Sequence, residues 1–319
     1  MENGYTANHL SKNCWTEDMV YRVNKGKPTK LEKLRWWLLH RGPRREVTID
    51  SLNGLVTFYS KDKAVGKHIY FRREYDVDAV KQRVRLLVDN GYIDEERPGI
   101  ALNIGANIGL ITLALMKFTM FRNVIAFEPV PSNFRLLEKN IAQNGYSEDV
   151  QCLQLALSSE DGQVEMELSD ENFGDHRIRR SFEKGYFREE RREVANVDAR
   201  RLDSLIGKGF FAKERPGLIW MDIQGHDYDF FVGSKEVISR YRVPVVGEFW
   251  PYSINRAGCE RDQYCEIIMS LFTHYLDPAG ANEFCTVDSF DSLFDRYTGP
   301  DEATEITLVN EGWRHKSGF

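Results

Sequence analysis

The sequence predicts an α/β fold built on a mostly parallel sheet with helices on both faces. Three observations carry this expectation. From residue 99 onward, short apolar runs alternate with longer amphipathic stretches, the pattern of βαβ crossovers. The apolar run ALNI ends in Gly105-Ala106-Asn107-Ile108-Gly109 and restarts as a helix, the kind of turn that holds a ligand. A second apolar run, NVIAF, ends in Glu128, an acid about 20 residues beyond that turn.

Taken in order, residues 1–25 are polar without periodicity and read as irregular. Thr29 and Glu32 fit a capping box for a helix over 28–41, with Leu31, Leu34 and Leu38 as one stripe and Gly42-Pro43 as its stop. Its Lys and Arg residues read as a solvated face, with phosphate binding as the alternative. Residues 47–60 read as a hairpin around Asn53-Gly54. Residues 76–92 read as a helix with Val80, Val84 and Leu87 inward and Asn90-Gly91 at its end. Strands follow at 99–104, 123–127, 150–155, 216–222 and 244–249, separated by helices at 108–119, 131–144, 227–240 and 260–275. Residues 304–310 read as a last strand at an antiparallel edge. Within an insertion at about 160–206, GQVEMELS reads as an extra strand. The run HRIRRSFEKGYFREERREV reads as a solvated helix or flap, with a lid over the site as the alternative. The boundaries predict an N-terminal extension over 1–95 packing on a main domain over 96–319.

The chain has 319 residues, 42% of them hydrophobic, enough for one large domain or a domain plus a lobe. No apolar run approaches the roughly 20 residues of a membrane span, and MENGYTANHLSKNCW lacks a secretory layout. Stable membrane insertion is therefore not expected. Cys14, Cys152, Cys259, Cys265 and Cys285 are scattered and read as reduced thiols of a cytoplasmic protein, without zinc-site spacing. The net charge of -6 argues against general nucleic-acid binding.

The glycine spacing is G-x-x-x-G, whereas a dinucleotide fingerprint is G-x-G-x-x-G. Asn107 places a side chain near the space a pyrophosphate needs. Glu128 can accept hydrogen bonds from both ribose hydroxyls. A glycine loop with a ribose acid and no pyrophosphate slot points to a nucleoside without phosphates, and S-adenosylmethionine fits.

The motifs LNIGANIGLITLAL, VIAFEPVPSNFRLLEKNIAQNG, LALSSEDGQVE, RRLDSLI, GLIWMDIQGHDYDFFVGS and VPVVGEF occur in the order seen in FkbM-type methyltransferases. The resemblance covers roughly residues 65–250. It implies a class I methyltransferase fold with a Rossmann-like seven-stranded sheet, S-adenosylmethionine as donor, and methylation of a hydroxyl on a sugar or secondary metabolite. Carried over by motif, Gly105, Ala106, Asn107, Gly109 and Glu128 would line the donor, with Ala156 and Leu157 by the adenine. The chain departs from the family at Asn103, where Asp is common, and at Gln224, where Glu is common. Asn103 can still hydrogen-bond the donor's ammonium.

A hydroxyl acceptor must lose a proton, and three candidates stand at strand ends: Asp222, His226 and Glu248. His226 has the unperturbed pKa nearest neutrality, about 6.5, and is the expected general base. Asp222 would position the donor's methyl end or orient the imidazole. Phe249, Trp250 and Tyr252 read as stacking walls or as core. Asp222 and Glu248 as metal ligands are the weaker possibility, and no metal is expected. The acceptor is expected to be a small molecule or glycan, not a nucleic acid. The competing reading is a non-catalytic nucleoside-binding or regulatory module on the same fold, with a nicotinamide oxidoreductase opposed by the glycine spacing.

Overall fold

The computed structural model describes residues 27–206, 214–280 and 283–311; the expectations for 1–25 and for Cys14 fall outside them. Thr29 caps α1 (Lys30–Arg41): its hydroxyl accepts from Glu32 N at 3.2 Å while its own N–H donates to Glu32 Oε2 at 2.8 Å. The Leu31, Leu34 and Leu38 stripe does not face the core. Trp36 is the buried residue of this helix, packed on Phe58, Tyr70 and Phe71, so the larger indole decides which side turns inward.

The hairpin is β1 (Glu46–Ser51) and β2 (Gly54–Tyr59), antiparallel, with Leu52-Asn53 at its turn. Asn53 Nδ2 pins that turn by donating to Tyr75 O at 2.9 Å and Leu110 O at 3.1 Å. An unpredicted helix, α2 (Val65–Arg72), precedes α3 (Val77–Asp89), which buries Val80, Val84 and Leu87 as its spacing requires.

The main sheet begins with β3 (Ile100–Ile104), α4 (Leu110–Phe118), β4 (Val124–Phe127), α5 (Pro131–Gln143) and β5 (Val150–Leu153). After it come β6 (Ala156–Leu157), β7 (Gly162–Leu168), β8 (Arg177–Ile178), β9 (Glu193–Arg200) and α6 (Leu202–Ile206). The chain returns through β10 (Pro216–Met221), α7 (Asp227–Gly233), α8 (Lys235–Tyr241), β11 (Val245–Phe249), α9 (Pro251–Arg256) and α10 (Arg261–Leu271). It ends in β12 (His274–Leu276), β13 (Cys285–Thr286), α11 (Ser292–Arg296) and β14 (Thr304–Val309). The strand order is β13-β12-β14-β11-β10-β3-β4-β5, parallel from β11 through β5, with β14 reversed. This is the mostly parallel sheet of the expected class I methyltransferase fold, extended at one edge by the two-residue β13. The order reverses at β3, whose neighbours are β4 and β10, and a crevice opens there beyond the carboxyl ends of the strands. One predicted helix, 227–240, is two, divided at Ser234, whose φ of -125° leaves the helical region. The predicted helix 260–275 stops at Leu271, and β12 takes its end into the sheet.

The charged run is not an α-helix; its two ends pair into a sheet, while residues 180–188 between them stay mostly exposed. Strands β6, β9, β7 and β8 make a second, four-stranded sheet. Some of its charges turn inward and pair: Arg177 and Arg192 both hold Asp175, and Arg177 also reaches Glu189 at 3.3 Å. Buried charge is tolerated only when paired, so alternating Arg and acid residues ordered this segment where a solvated face was expected. Glu189, fully buried, ties it to α9 by accepting from Tyr252 OH at 2.8 Å and facing Arg256 at 3.3 Å. Glu189→Ala leaves these cations short of a partner and should cost about 3 kcal/mol. Thermal unfolding reads this as a clear drop in Tm; an unchanged Tm would show that the network holds nothing.

Candidate active site

The site starts from a backbone contact. Gly105 follows β3 with φ +75°, and a Cβ there would lie 1.8 Å from the Asp222 carbonyl oxygen. Only glycine lets the exits of β3 and β10 touch. The turn is then fastened to β4: Gly105 N and Ala106 N donate to Phe127 O at 3.0 and 2.8 Å. Glu128, next in the chain, receives Asn107 N on Oε2 and Val130 N on Oε1, both at 2.9 Å. Burial pushes its carboxyl up to about 7, with the two N–H bonds opposing.

Above Glu128 is a cavity enclosing about 60 Å³, walled by apolar Leu155, Met166, Ile178 and Ile223. The side-chain oxygens of Asn107 and Asn133, which also line it, are buried without a hydrogen-bond partner. A carboxylate, two unpartnered acceptors and an apolar wall suit a nucleoside's hydroxyls, amine and ring. The volume is below the roughly 300–1,000 Å³ of small-molecule pockets, so the cavity must widen to seat such a ligand.

Of the residues expected to line a donor, Gly105, Asn107, Glu128, Ala156, Leu157 and Asp222 do line this cavity. Asn103 does not. It is buried, accepts from Thr112 Oγ1 at 2.7 Å and donates to Trp220 O at 3.4 Å, so both ends of its amide tie β3 to its neighbours. Ala106 and Gly109 shape the turn from behind, Gly109 bringing α4 against Leu137.

Asp222 and Glu248 meet through a residue that sequence reasoning set aside. Gln224 Nε2 donates to Asp222 Oδ1 at 2.6 Å and to Glu248 Oε2 at 3.1 Å. Gln224 adopts φ +54°, and Ser253 on α9 donates to its carbonyl at 2.5 Å, which holds the amide in place. Both carboxylates open on a cleft of about 1,290 Å³ that also presents Tyr75 and Trp250. Asp222 is exposed where it lines the cleft, whereas Glu248 is half-buried. Burial raises Asp222, with Asp76 and Asp175 adding to the rise and the Gln224 amide opposing it. Burial, then Asp222 and Asp227, raise Glu248 well above the carboxylate range.

His226 is not turned toward this pair. It precedes α7, is buried, and places Nε2 2.9 Å from Ser158 Oγ and Nδ1 3.4 Å from Asp229 Oδ2. Burial lowers its imidazole to about 4 although Asp229 opposes this. It touches the small cavity and not the large cleft. His176, which no sequence motif marked inside its charge run, lines both. Its Nδ1 accepts from Ser169 N at 3.0 Å, and burial lowers it to about 4, so the neutral ring carries its proton on Nε2. Phe249 is core, packed on Tyr264, Phe290 and Phe294, whereas Trp250 stands in the cleft under the Arg177 guanidinium at 4.5 Å. Among the described residues, no three His, Cys, Asp or Glu side chains converge as a metal site.

Residues 103–276 match the family model of the methyltransferase FkbM domain. Among curated proteins, the chain is similar to the 2-O-methyltransferase NoeI of Sinorhizobium fredii, with 24% identity over 159 residues, 46% of this chain and 62% of that protein. It is also similar to the methyltransferase sdnD of Sordaria araneosa, with 25% identity over 169 residues, 47% of this chain and 65% of that protein. The chain thus matches less than two thirds of the length of either relative. A crystal structure of a methyltransferase FkbM from Methylobacillus flagellatus aligns with TM-score 0.40 and 16% identity over 66% of this chain and 43% of that one, too low to add to the fold argument.

The raised Glu128 carboxyl gives a prediction about stability. Between the unfolded value of 4.5 and about 7 the folded chain holds a proton that the unfolded chain releases, so this group's contribution falls as pH rises through that window. Glu128→Gln removes the titration. Its Tm relative to wild type should therefore improve from acid to neutral pH by the equivalent of a few kcal/mol. A Tm difference independent of pH would contradict the buried, raised carboxyl.

Proposed function

The chain belongs to the FkbM methyltransferase family, and we propose that it is an S-adenosylmethionine-dependent O-methyltransferase acting on a hydroxyl of a sugar or secondary metabolite. One observation carries this reading: the cavity over Glu128 and the cleft over Asp222 and Glu248 share Asn107, Asp222 and Gln224 as walls. A donor seated in the first would face an acceptor in the second. The name of one relative, a 2-O-methyltransferase, points the same way.

In this reading Glu128 accepts from the two ribose hydroxyls, each of its oxygens already oriented by a backbone N–H. The free amide oxygens of Asn107 and Asn133 take the remaining donors. The bound donor supplies a methyl group on a positively charged sulfur, which needs no further activation. The chain contributes alignment, which accounts for several kcal/mol, and removal of the acceptor's proton. Asp222 and Glu248 do the second task. Gln224 holds the two carboxylates side by side, and burial, with Asp222 also repelling Glu248, raises proton affinity toward the working pH, where a general base is most effective. His176 Nε2–H donates into the junction and orients the acceptor oxygen. His226, hydrogen-bonded to Ser158, holds the turn that carries Gln224 rather than accepting the proton.

Calorimetric titration with S-adenosylmethionine tests the donor. Glu128→Ala should weaken binding by about tenfold or more, because a hydrogen bond to a charged group contributes about 1.5–3 kcal/mol. Tight NAD binding without S-adenosylmethionine binding would end the assignment. Transfer of labelled methyl from the donor tests the base. Turnover should rise with pH through a pKa above the ordinary carboxylate range, and Glu248→Gln should lower it roughly 10²–10⁴-fold with donor affinity kept. A Glu248→Gln protein with the wild-type rate and profile would remove Glu248 from the chemistry.

A further inference from the structure

The outward face of α1 is unlike a solvated helix. Leu31, Leu34, Trp37 and Leu38 are 56, 53, 49 and 56% exposed, while Trp36 is 8% exposed. At 3.6 residues per turn, the three leucines fall on the side opposite Trp36. The helix therefore shows one apolar face to the protein and a second one to the outside. Cations border the outer face: Lys30, Lys33, Arg35 and Arg41 lie on the helix, and the Arg41 guanidinium sits 4.6 Å over the Trp37 ring. The single acid of the helix, Glu32, is engaged by Thr29 in the cap. An exposed apolar patch rimmed by polar groups marks an interaction surface, and its charge selects the partner.

We propose that α1 docks the protein on an anionic lipid bilayer, with its leucine face at headgroup depth and its Lys and Arg side chains on the lipid phosphates. An interfacial helix of this kind has Leu and Trp on one face and basic residues along its borders. A second copy of the chain is a poorer occupant. A two-fold contact through this face would bring its cations against the same cations of the other copy. The helix is also joined to the large cleft. Lys61 Nζ donates to His40 O in its last turn at 2.7 Å, and Lys61 and the following Arg44 both line the cleft. Docking through α1 would bring the mouth of the cleft to the headgroup layer.

Sedimentation of the full chain with vesicles tests this without any turnover, so its outcome is independent of the methyl-transfer reading. The protein should pellet with mixed phosphatidylcholine–phosphatidylglycerol vesicles, stay in solution with pure phosphatidylcholine, and be released by salt. Leu34→Glu combined with Leu38→Glu should abolish pelleting. Lys30→Glu combined with Lys33→Glu should weaken it by about tenfold or more. These side chains are exposed, so the variants should keep the wild-type Tm. Wild-type protein that stays in solution with the mixed vesicles, binds both kinds equally, or pellets unchanged after the leucine substitutions would overturn the proposal. A dimer in sedimentation velocity that the leucine substitutions dissociate would do the same, assigning the face to a second copy.

Discussion

The contact of Gly105 with the Asp222 carbonyl, a separation that would leave a Cβ 1.8 Å from that oxygen, is the constraint on which the rest of the site depends. It sets the exits of β3 and β10 against each other at the point where strand order reverses. From that contact, the Gly105-Ala106-Asn107 turn reaches Phe127 and Glu128 on one side. On the other side, Asp222 and Gln224 reach Glu248. Any side chain at 105 would force the two strand ends apart and separate the Glu128 cavity from the carboxylate pair. Two non-glycine residues with left-handed backbone, Asn107 at φ +50° and Gln224 at φ +54°, lie within this small region, where backbone strain is tolerated because surrounding packing fixes it.

Charge follows the same logic in two different ways. In the second sheet, Arg177, Arg192, Asp175 and Glu189 are buried but mutually compensated, and they order a segment that composition alone marks as polar. At the strand ends and the start of α7, Asp222, Glu248, Asp227 and Glu128 crowd together with few cations; Glu128 and Asp227 are buried, Glu248 is half-buried, Asp222 faces the cleft, and their proton affinities rise. The first arrangement is what a scaffold needs. The second raises carboxyl proton affinities at the crevice, as burial also does for Glu167, Asp62 and Glu305 elsewhere.

What was legible in the sequence was local. The capping box of α1, the strand-to-helix turn at 105–109 and the acid ending β4 each rest on spacing within a few residues, and the structure has them. What was not legible depended on which surfaces meet. The leucine stripe of α1 pointed outward because Trp36, invisible to a stripe count, had a larger apolar pocket beneath it. The charged run entered the second sheet only at its two ends, where its buried acids and arginines found each other, and its middle stayed exposed. His176 reached both cavities through β8, a strand of two residues that no periodicity could reveal. Gln224 was set aside for lacking a charge, yet its amide is the group that joins two charges. His226 sat at a strand end as expected, but the start of α7 turned its ring toward Ser158 and Asp229.

If the cavity is a donor site and the cleft an acceptor site, they meet at Asn107 and Asp222. A crystal structure of the protein with S-adenosylhomocysteine tests it most directly. The account predicts the ribose hydroxyls on the Glu128 carboxylate, the adenine among Leu155, Met166 and Ile223, and the sulfur facing the cleft beside Asp222. A ligand bound with its ribose away from Glu128, or with its sulfur closed off from the Asp222–Gln224–Glu248 cleft, would contradict it.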